Sequence, residues 1–298
     1  MNIVLADDNA KLVAMGSTPT DLKRRVRALD WAGMGAQLDE RGYATTGPFL
    51  TPAECQALIK DYDEEARYRS QIIMARHGFG RGEYKYFAYP LPNPVSTLRT
   101  ALYGPLAPIA NRWQQALGGK ADYPAAHGSY LARCHEADQR RPTPLMLKYG
   151  TGDYNCLHQD LYGDLAFPLQ VAFLLSAPAR DFTGGEFMLT EQRPRQQSRG
   201  EVVSLEQGEG VIFAVNHRPV EGKRGVYRTA MRHGVSRLKN GDRLRWASFF
   251  TTRDETQHSR PCRSVCRVVA DPRQRQASGT GCCAVARLRE CEPAGFAA

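Results

Sequence analysis

No stretch of this sequence stays apolar over the roughly 20 residues that a membrane-spanning helix requires. The longest candidate, residues 169–179, stops far short, and Gln170 and Pro178 interrupt even that one. Residues 1–16 lack a basic start and an apolar run and carry Asp7 and Asp8, so no secretory signal is read there. A cytoplasmic location with no membrane partner is expected. Paired CxxC units are also missing. Cys55, Cys134 and Cys156 are scattered, and Cys262, Cys266, Cys282, Cys283 and Cys291 crowd the end of the chain at spacings that match no zinc pattern. Free thiols in a reducing compartment are the expected state. Internal repeats are absent as well.

What is present is ordinary globular material. The chain has 298 residues, 42% hydrophobic and 24% charged, enough for one large domain or two small ones. Its net charge of +9 is unevenly placed: residues 259–298 hold seven Arg against three acidic residues, a net +4, which leaves +5 for residues 1–258. The body is only mildly basic, so charge allows a nucleic-acid partner without demanding one.

Residues 1–17 show no sustained period and read as a flexible arm. Leu22, Val26 and Leu29 then recur at helical spacing behind Thr20, an expected N-cap, and a second helix over 34–41 stops at Gly42. Thr51-Pro52-Ala53-Glu54 is a capping box with proline at the first helical position, and it predicts a helix that turns Leu58, Ile59 and Tyr62 inward. Residues 83–89 alternate aromatically like a strand, which prolines 90, 92 and 94 end, and residues 98–117 resume a helical pattern. The loop 77–82, with its glycines, is expected to be a mobile lid.

From about Pro144 short apolar runs lie between turn signals. Residues 145–149, 170–176, 185–189, 201–205, 210–215, 231–238 and 243–251 predict seven strands at close spacing, hence a sandwich or barrel and not a parallel sheet. The predicted class is α+β, mainly β. A single domain over 18–258 carries helices in its 18–120 part and a β core at about 144–252. A basic, Cys-rich tail over 259–298 contributes little to the core.

His158-Gln159-Asp160 carries the chemistry. On extended backbone, residues two apart face the same way, so this imidazole and carboxylate can share one metal ion. A second imidazole must come from elsewhere, and His233, in the apolar run Arg232 to Arg237, is one candidate, with His217 its rival. Fe(II) suits two His and one carboxylate, because three positions stay open for a bidentate cosubstrate and O₂. The tripeptide alone also fits a surface turn with a satisfied histidine. Arg243 lies ten residues after His233, past the turn Lys239 to Asp242, and is expected on the neighbouring strand with its guanidinium reaching the same pocket. A planar fork suits a carboxylate. Arg245 points to the same side two residues later, and alternation alone does not choose between the two. Tyr149 is a second pocket candidate, equally readable as an aromatic core residue.

These motifs together resemble the Fe(II)/2-oxoglutarate-dependent oxygenases of the prolyl-hydroxylase-like branch. The resemblance runs from about Pro144 to Thr252. It takes in Tyr149-Gly150-Thr151-Gly152, His158-Gln159-Asp160, Asp181-Phe182-Thr183-Gly184-Gly185-Glu186-Phe187, Gly208-Glu209-Gly210-Val211-Ile212-Phe213, His233-Gly234-Val235-Ser236 and Gly241-Asp242-Arg243. It implies a double-stranded β-helix, or jelly roll, with N-terminal helices packed on it. It further implies Fe(II) held by His158, Asp160 and His233, and 2-oxoglutarate held through its far carboxylate by Arg243, with Tyr149 beside it. O₂ is the oxidant, ascorbate an auxiliary reductant, and succinate and CO₂ the coproducts. Asn216-His217-Arg218-Pro219-Val220 and Tyr227-Arg228 extend the match to a bacterial subfamily of oxygenases predicted to demethylate damaged DNA oxidatively. An alkylated nucleic-acid base is therefore one expected substrate, with a small molecule, amino acid or peptide as the alternative. A cupin-like metal-binding or ligand-binding module without catalysis is the competing class. His217, Arg218, Arg228 and Arg245 are substrate-side candidates, and His217 is also the rival second imidazole. His77, His127, His135 and His258 have no partner at metal spacing and are expected at surface or loop positions.

Overall fold

The computed structural model describes residues 18–161 and 163–254. The arm, the tail with its cysteines, and His258 lie outside the described residues. Helix α1 (Pro19–Arg27) begins two residues earlier than expected, because Thr18 and not Thr20 caps it by accepting a hydrogen bond from the Asp21 N–H, with Pro19 in the first turn. Helix α2 (Trp31–Arg41) is capped by Asp30 and stops at Gly42, whose φ of 80° is left-handed. A Cβ there would stand 2.8 Å from the Arg218 side chain. The Thr51–Glu54 capping box is formed in full at the start of α3 (Pro52–Lys60). The long α4 (Asn93–Ala116) buries Leu98, Leu102, Leu106, Ile109 and Trp113. Helix α5 (His127–Glu136) had no clear sequence signal, since it buries only His127, Tyr130 and Cys134. No helix among the described residues is long and apolar enough to cross a membrane.

The strands run in chain order as β1 (Tyr43–Pro48), β2 (Tyr68–Ile73), β3 (Gly80–Arg81), β4 (Glu83–Phe87), β5 (Arg141–Pro142), β6 (Leu145–Tyr149), β7 (Tyr154–His158), β8 (Leu169–Leu174) and β9 (Phe182–Gly184). They continue as β10 (Phe187–Gln192), β11 (Arg199–Val203), β12 (Glu209–Ala214), β13 (His217–Gly222), β14 (Gly225–Val235), β15 (Leu238–Gly241), β16 (Arg243–Ser248) and β17 (Thr252–Arg253). One sheet has the order β1-β12-β8-β16-β6-β4-β2. The second has β11-β10-β14-β7-β3, with β13 paired to β14. Within them β12-β8-β16-β6 faces β11-β10-β14-β7, and the chain passes from one sheet to the other between β6 and β7, β7 and β8, and β11 and β12. This is the jelly roll, and each of the seven predicted strands lies in it.

Alternation along each strand separates two cores. Leu145, Leu147, Ala172, Leu174, Phe187, Leu189, Val211, Phe213 and Val235 fill the space between the sheets. Met146, Val171, Phe173, Ile212 and Trp246 face the other way and pack against the helices through Leu98, Leu102 and Leu106. Trp246 stacks on Phe173 with centroids 5.2 Å apart. The helices therefore cover the outer face of the larger sheet and leave the space between the sheets for a site.

His127 corrects the expectation of a surface position. Its ring is buried, with Nε2 2.9 Å from the Phe250 carbonyl, and burial together with the nearby Arg99 cation lowers its pKa to about 3. Its ordinary value is 6.5. The unfolded chain therefore takes up this proton below pH 6.5 while the folded chain resists it. The contribution is complete above pH 6.5 and is lost as pH falls toward 3, at up to about 1.4 kcal/mol per pH unit. Urea midpoints for His127→Gln should show a shallower acid limb than wild type over that range, and parallel limbs would refute the assignment.

Candidate active site

His158 ends β7, and His233 lies directly opposite it on β14. Asp160 follows β7 by two residues. The three side chains converge: His158 Nε2 is 3.5 Å from one Asp160 oxygen, His233 Nε2 is 3.1 Å from the other, and the two imidazole centroids are 4.2 Å apart. One donor atom from each lies within 4.8 Å of the other two. Donors about 2.1 Å from one ion and at right angles stand about 3 Å from one another, so this spacing fits one face of a coordination sphere. His158 Nδ1 lies 2.8 Å from the Cys156 carbonyl, which obliges that nitrogen to carry the proton and leaves the Nε2 lone pair for a metal.

The electrostatics match a cation's place. Burial favours the neutral form of Asp160, but His158 and His233 outweigh it and hold this carboxyl far below the ordinary carboxylate range. Burial also opposes charge on His158, yet the adjacent Asp160 carboxylate keeps its pKa above the usual value. His233 is more enclosed, and burial followed by repulsion from His158 pushes it down to about 4.

A cavity of about 280 Å³ opens beside the three residues. Phe79, Tyr84, Tyr86 and Phe249 form its aromatic walls, and Gln170 and Arg245 are among its polar lining groups, with His77, Asn155 and Gln159. Gln170 is 1% exposed, and its Oε1 has no hydrogen-bond partner among the described residues. The sequence held a signal for it, as the one polar residue in a strand buried throughout. Tyr84 and Tyr86, two apart in β4, could likewise have been read as one face.

Several candidates sit elsewhere than expected. Arg243 is not on a strand adjoining His233: β16 pairs with β6 and β8 in the facing sheet, so this arginine approaches from across the sandwich. Its Cζ lies 5.8 Å from the Tyr149 ring and 5.7 Å from the Phe182 ring, behind the cavity. Tyr149 is fully buried, and its hydroxyl accepts from Asn155 Nδ2 at 3.4 Å. Arg218 does not reach the mouth. It is 1% exposed, ion-paired with Glu191, and donates to the carbonyls of Asp39 and Glu40 in the last turn of α2. His217 is apart from the triad and lines, with Arg228, a second cavity of about 290 Å³ that shares Leu161 with the first. The segment 77–82 is not a free lid: Gly80 pairs with Asn155 of β7, and with φ at 125° a Cβ would stand 2.3 Å from the Tyr154 carbonyl. His77 stacks on Phe79 at 5.3 Å and joins the cavity wall.

Residues 82–252, more than half of the chain, match the model of the family Oxygenase-NA, described as an oxygenase catalysing oxidative methylation of damaged DNA. The chain belongs to this oxygenase family. An uncharacterized protein of Mycobacterium tuberculosis, found in strains CDC 1551 / Oshkosh and H37Rv, is 50% identical over 186 residues, 62% of this chain and 77% of the relative. A prolyl-4-hydroxylase of Pseudomonas putida is similar in structure with a TM-score of 0.42 and 14% identity, over 75% of this chain and 99% of its own. A 2OG-Fe(II) oxygenase family oxidoreductase of Burkholderia pseudomallei gives 0.45 and 13%, over 76% and 94%. This oxygenase uses Fe(II), 2-oxoglutarate and O₂. In it the donor set of two imidazoles and one carboxylate is the one that suits Fe(II) with open positions.

Proposed function

We propose that this oxygenase removes an N-methyl group from a damaged base of DNA, with His158, Asp160 and His233 holding Fe(II) and Arg243 and Tyr149 receiving the far carboxylate of 2-oxoglutarate. The observation that carries the reading is the convergence of the three donors at the edge of an aromatic-walled cavity. The bound iron and cosubstrate supply the oxidising power that places a hydroxyl on a C–H bond, with release of succinate and CO₂. A hydroxymethyl group on nitrogen falls away as formaldehyde, so this chemistry runs toward loss of the methyl group.

The chain's own residues bind and orient. Phe79, Tyr84, Tyr86 and Phe249 offer faces on which a planar base can stack, and Gln170 offers an amide for its polar edge. Such a base must be flipped out or single-stranded to enter. In this reading Arg228 and His217, which line the adjoining cavity, meet backbone phosphates. The three described cysteines are free, which fits a reducing cytoplasm.

Succinate release measured across N-methylated single-stranded oligonucleotides and a panel of carboxylate metabolites and peptides tests the substrate. Stimulation by the oligonucleotides is expected, and stimulation by a metabolite or peptide alone would replace this reading with the small-molecule one. Arg243→Ala should raise the KM for 2-oxoglutarate at least about tenfold, the loss of one charged hydrogen bond to a carboxylate, while iron content stays at wild-type level. An unchanged KM removes Arg243 from the cosubstrate site.

A further inference from the structure

Arg243 and Arg245 are 2% and 3% exposed, and no hydrogen bond joins either guanidinium to another described residue. Nε and Nη1 of Arg243 and Nε of Arg245 are enclosed and unpartnered. The nearest acids are committed: Asp160 to the two imidazoles, Glu186 to the Ser236 hydroxyl. Two buried cations on one strand, each repelling the other, are a costly arrangement for a folded chain unless an anion completes it. A single carboxylate would satisfy only one of them.

Their positions along the sandwich differ. Phe187 stands with its ring centroid 6.2 Å from that of His233 and 4.7 Å from the Arg245 Cζ, so Arg245 is one aromatic ring away from the triad. Arg245 also lines the main cavity, whereas Arg243 lies behind it among Tyr149 and Phe182. The sequence along the interior is therefore triad, Arg245, Arg243.

We propose that Arg245 is a second cosubstrate-positioning residue, which pairs with the carboxylate of 2-oxoglutarate nearest the metal while Arg243 pairs with the far one. This rests on the reading above that the far carboxylate belongs to Arg243. The dicarboxylate then neutralises both guanidiniums at once. Arg245 thus governs affinity for any 2-oxo acid, and Arg243 governs the preference for one that ends in a second carboxylate.

Calorimetry on full-length, anaerobically Fe(II)-loaded protein tests this with two ligands, 2-oxoglutarate and 2-oxovalerate, which differ only in the far carboxylate. Wild type should bind 2-oxoglutarate more tightly. Arg245→Met should weaken both ligands at least about tenfold and keep their ratio, while Arg243→Met should collapse the ratio. Ligand-free Arg245→Met should melt at or above the wild-type temperature, because a buried unpaired cation is gone, and should gain less on adding 2-oxoglutarate. Arg245→Lys, which retains the charge but not the fork, should lie between and guards against a folding failure of the methionine variant. Unchanged binding of both ligands to Arg245→Met overturns the proposal. A ratio lost in Arg245→Met and kept in Arg243→Met overturns it too, and moves the far carboxylate to Arg245. Wild-type protein that holds iron yet binds neither acid overturns the assignment of both arginines to the cosubstrate.

Discussion

Asp160→Ala is expected to lose iron and turnover together. The carboxylate is the element that touches both imidazoles, at 3.5 and 3.1 Å, and its negative charge is what offsets a cation in this enclosed place. Without it two neutral donors are left, one short of the facial set, and the electrostatic attraction for a divalent ion goes with it. Disturbing groups that merely orient ligands costs about 10–100-fold in metal affinity, so removing a ligand should cost at least about 100-fold. Iron per chain after anaerobic dialysis, and succinate release with 2-oxoglutarate, are the measurements. The fold should survive, because Asp160 follows β7 outside the strand and the core between the sheets does not include it. A variant that keeps one iron per chain would end the assignment of this triad as the metal centre.

Glu191→Ala should have the largest effect on stability. Its carboxylate is 5% exposed and faces the Arg218 guanidinium, which is 1% exposed, and it also accepts from Arg193 Nε at 2.5 Å. Arg218 holds the end of α2 to the smaller sheet through the Asp39 and Glu40 carbonyls at 2.8 and 3.0 Å. Deleting the acid leaves that cation buried without a counter-charge, which costs about 3–5 kcal/mol, whereas replacing both partners by apolar residues costs much less. Urea denaturation of Glu191→Ala and of the double variant Glu191→Met/Arg218→Met separates the two. A loss under about 1 kcal/mol in the single variant would show that solvent reaches the pair. The contrast with Arg243 and Arg245 is informative: Arg218 has its acid and its carbonyls and is structural, while Arg243 and Arg245, also buried, have neither among the described residues.

The relation between chain and structure follows from where each signal resides. Helix ends were legible where the information is local. Thr51 and Glu54 satisfy each other's backbone within one turn, and Gly42 supplies a left-handed stop. The start of α1 was displaced from Thr20 to Thr18 because two threonines compete and Pro19 favours the first turn. Among the described strands, the predicted seven were apolar runs. The ligand-bearing β7 reads Tyr-Asn-Cys-Leu-His and has no apolar face, because one end of it forms the wall of a polar site.

By itself, then, the sequence determined the β-rich class, the helices ahead of it, and the grouping of His158 and Asp160, since two-residue alternation and capping depend only on neighbours in the chain. Tertiary structure alone decided that His233 lies opposite His158, that Arg243 reaches in from the facing sheet, and that Arg218 turns away to Glu191. It also decided that Arg245, and not Arg243, lines the main cavity. The physical reason is that strand partners are chosen by burial across the whole sandwich, so a charged side chain becomes site or scaffold according to which distant residue the packing sets before it.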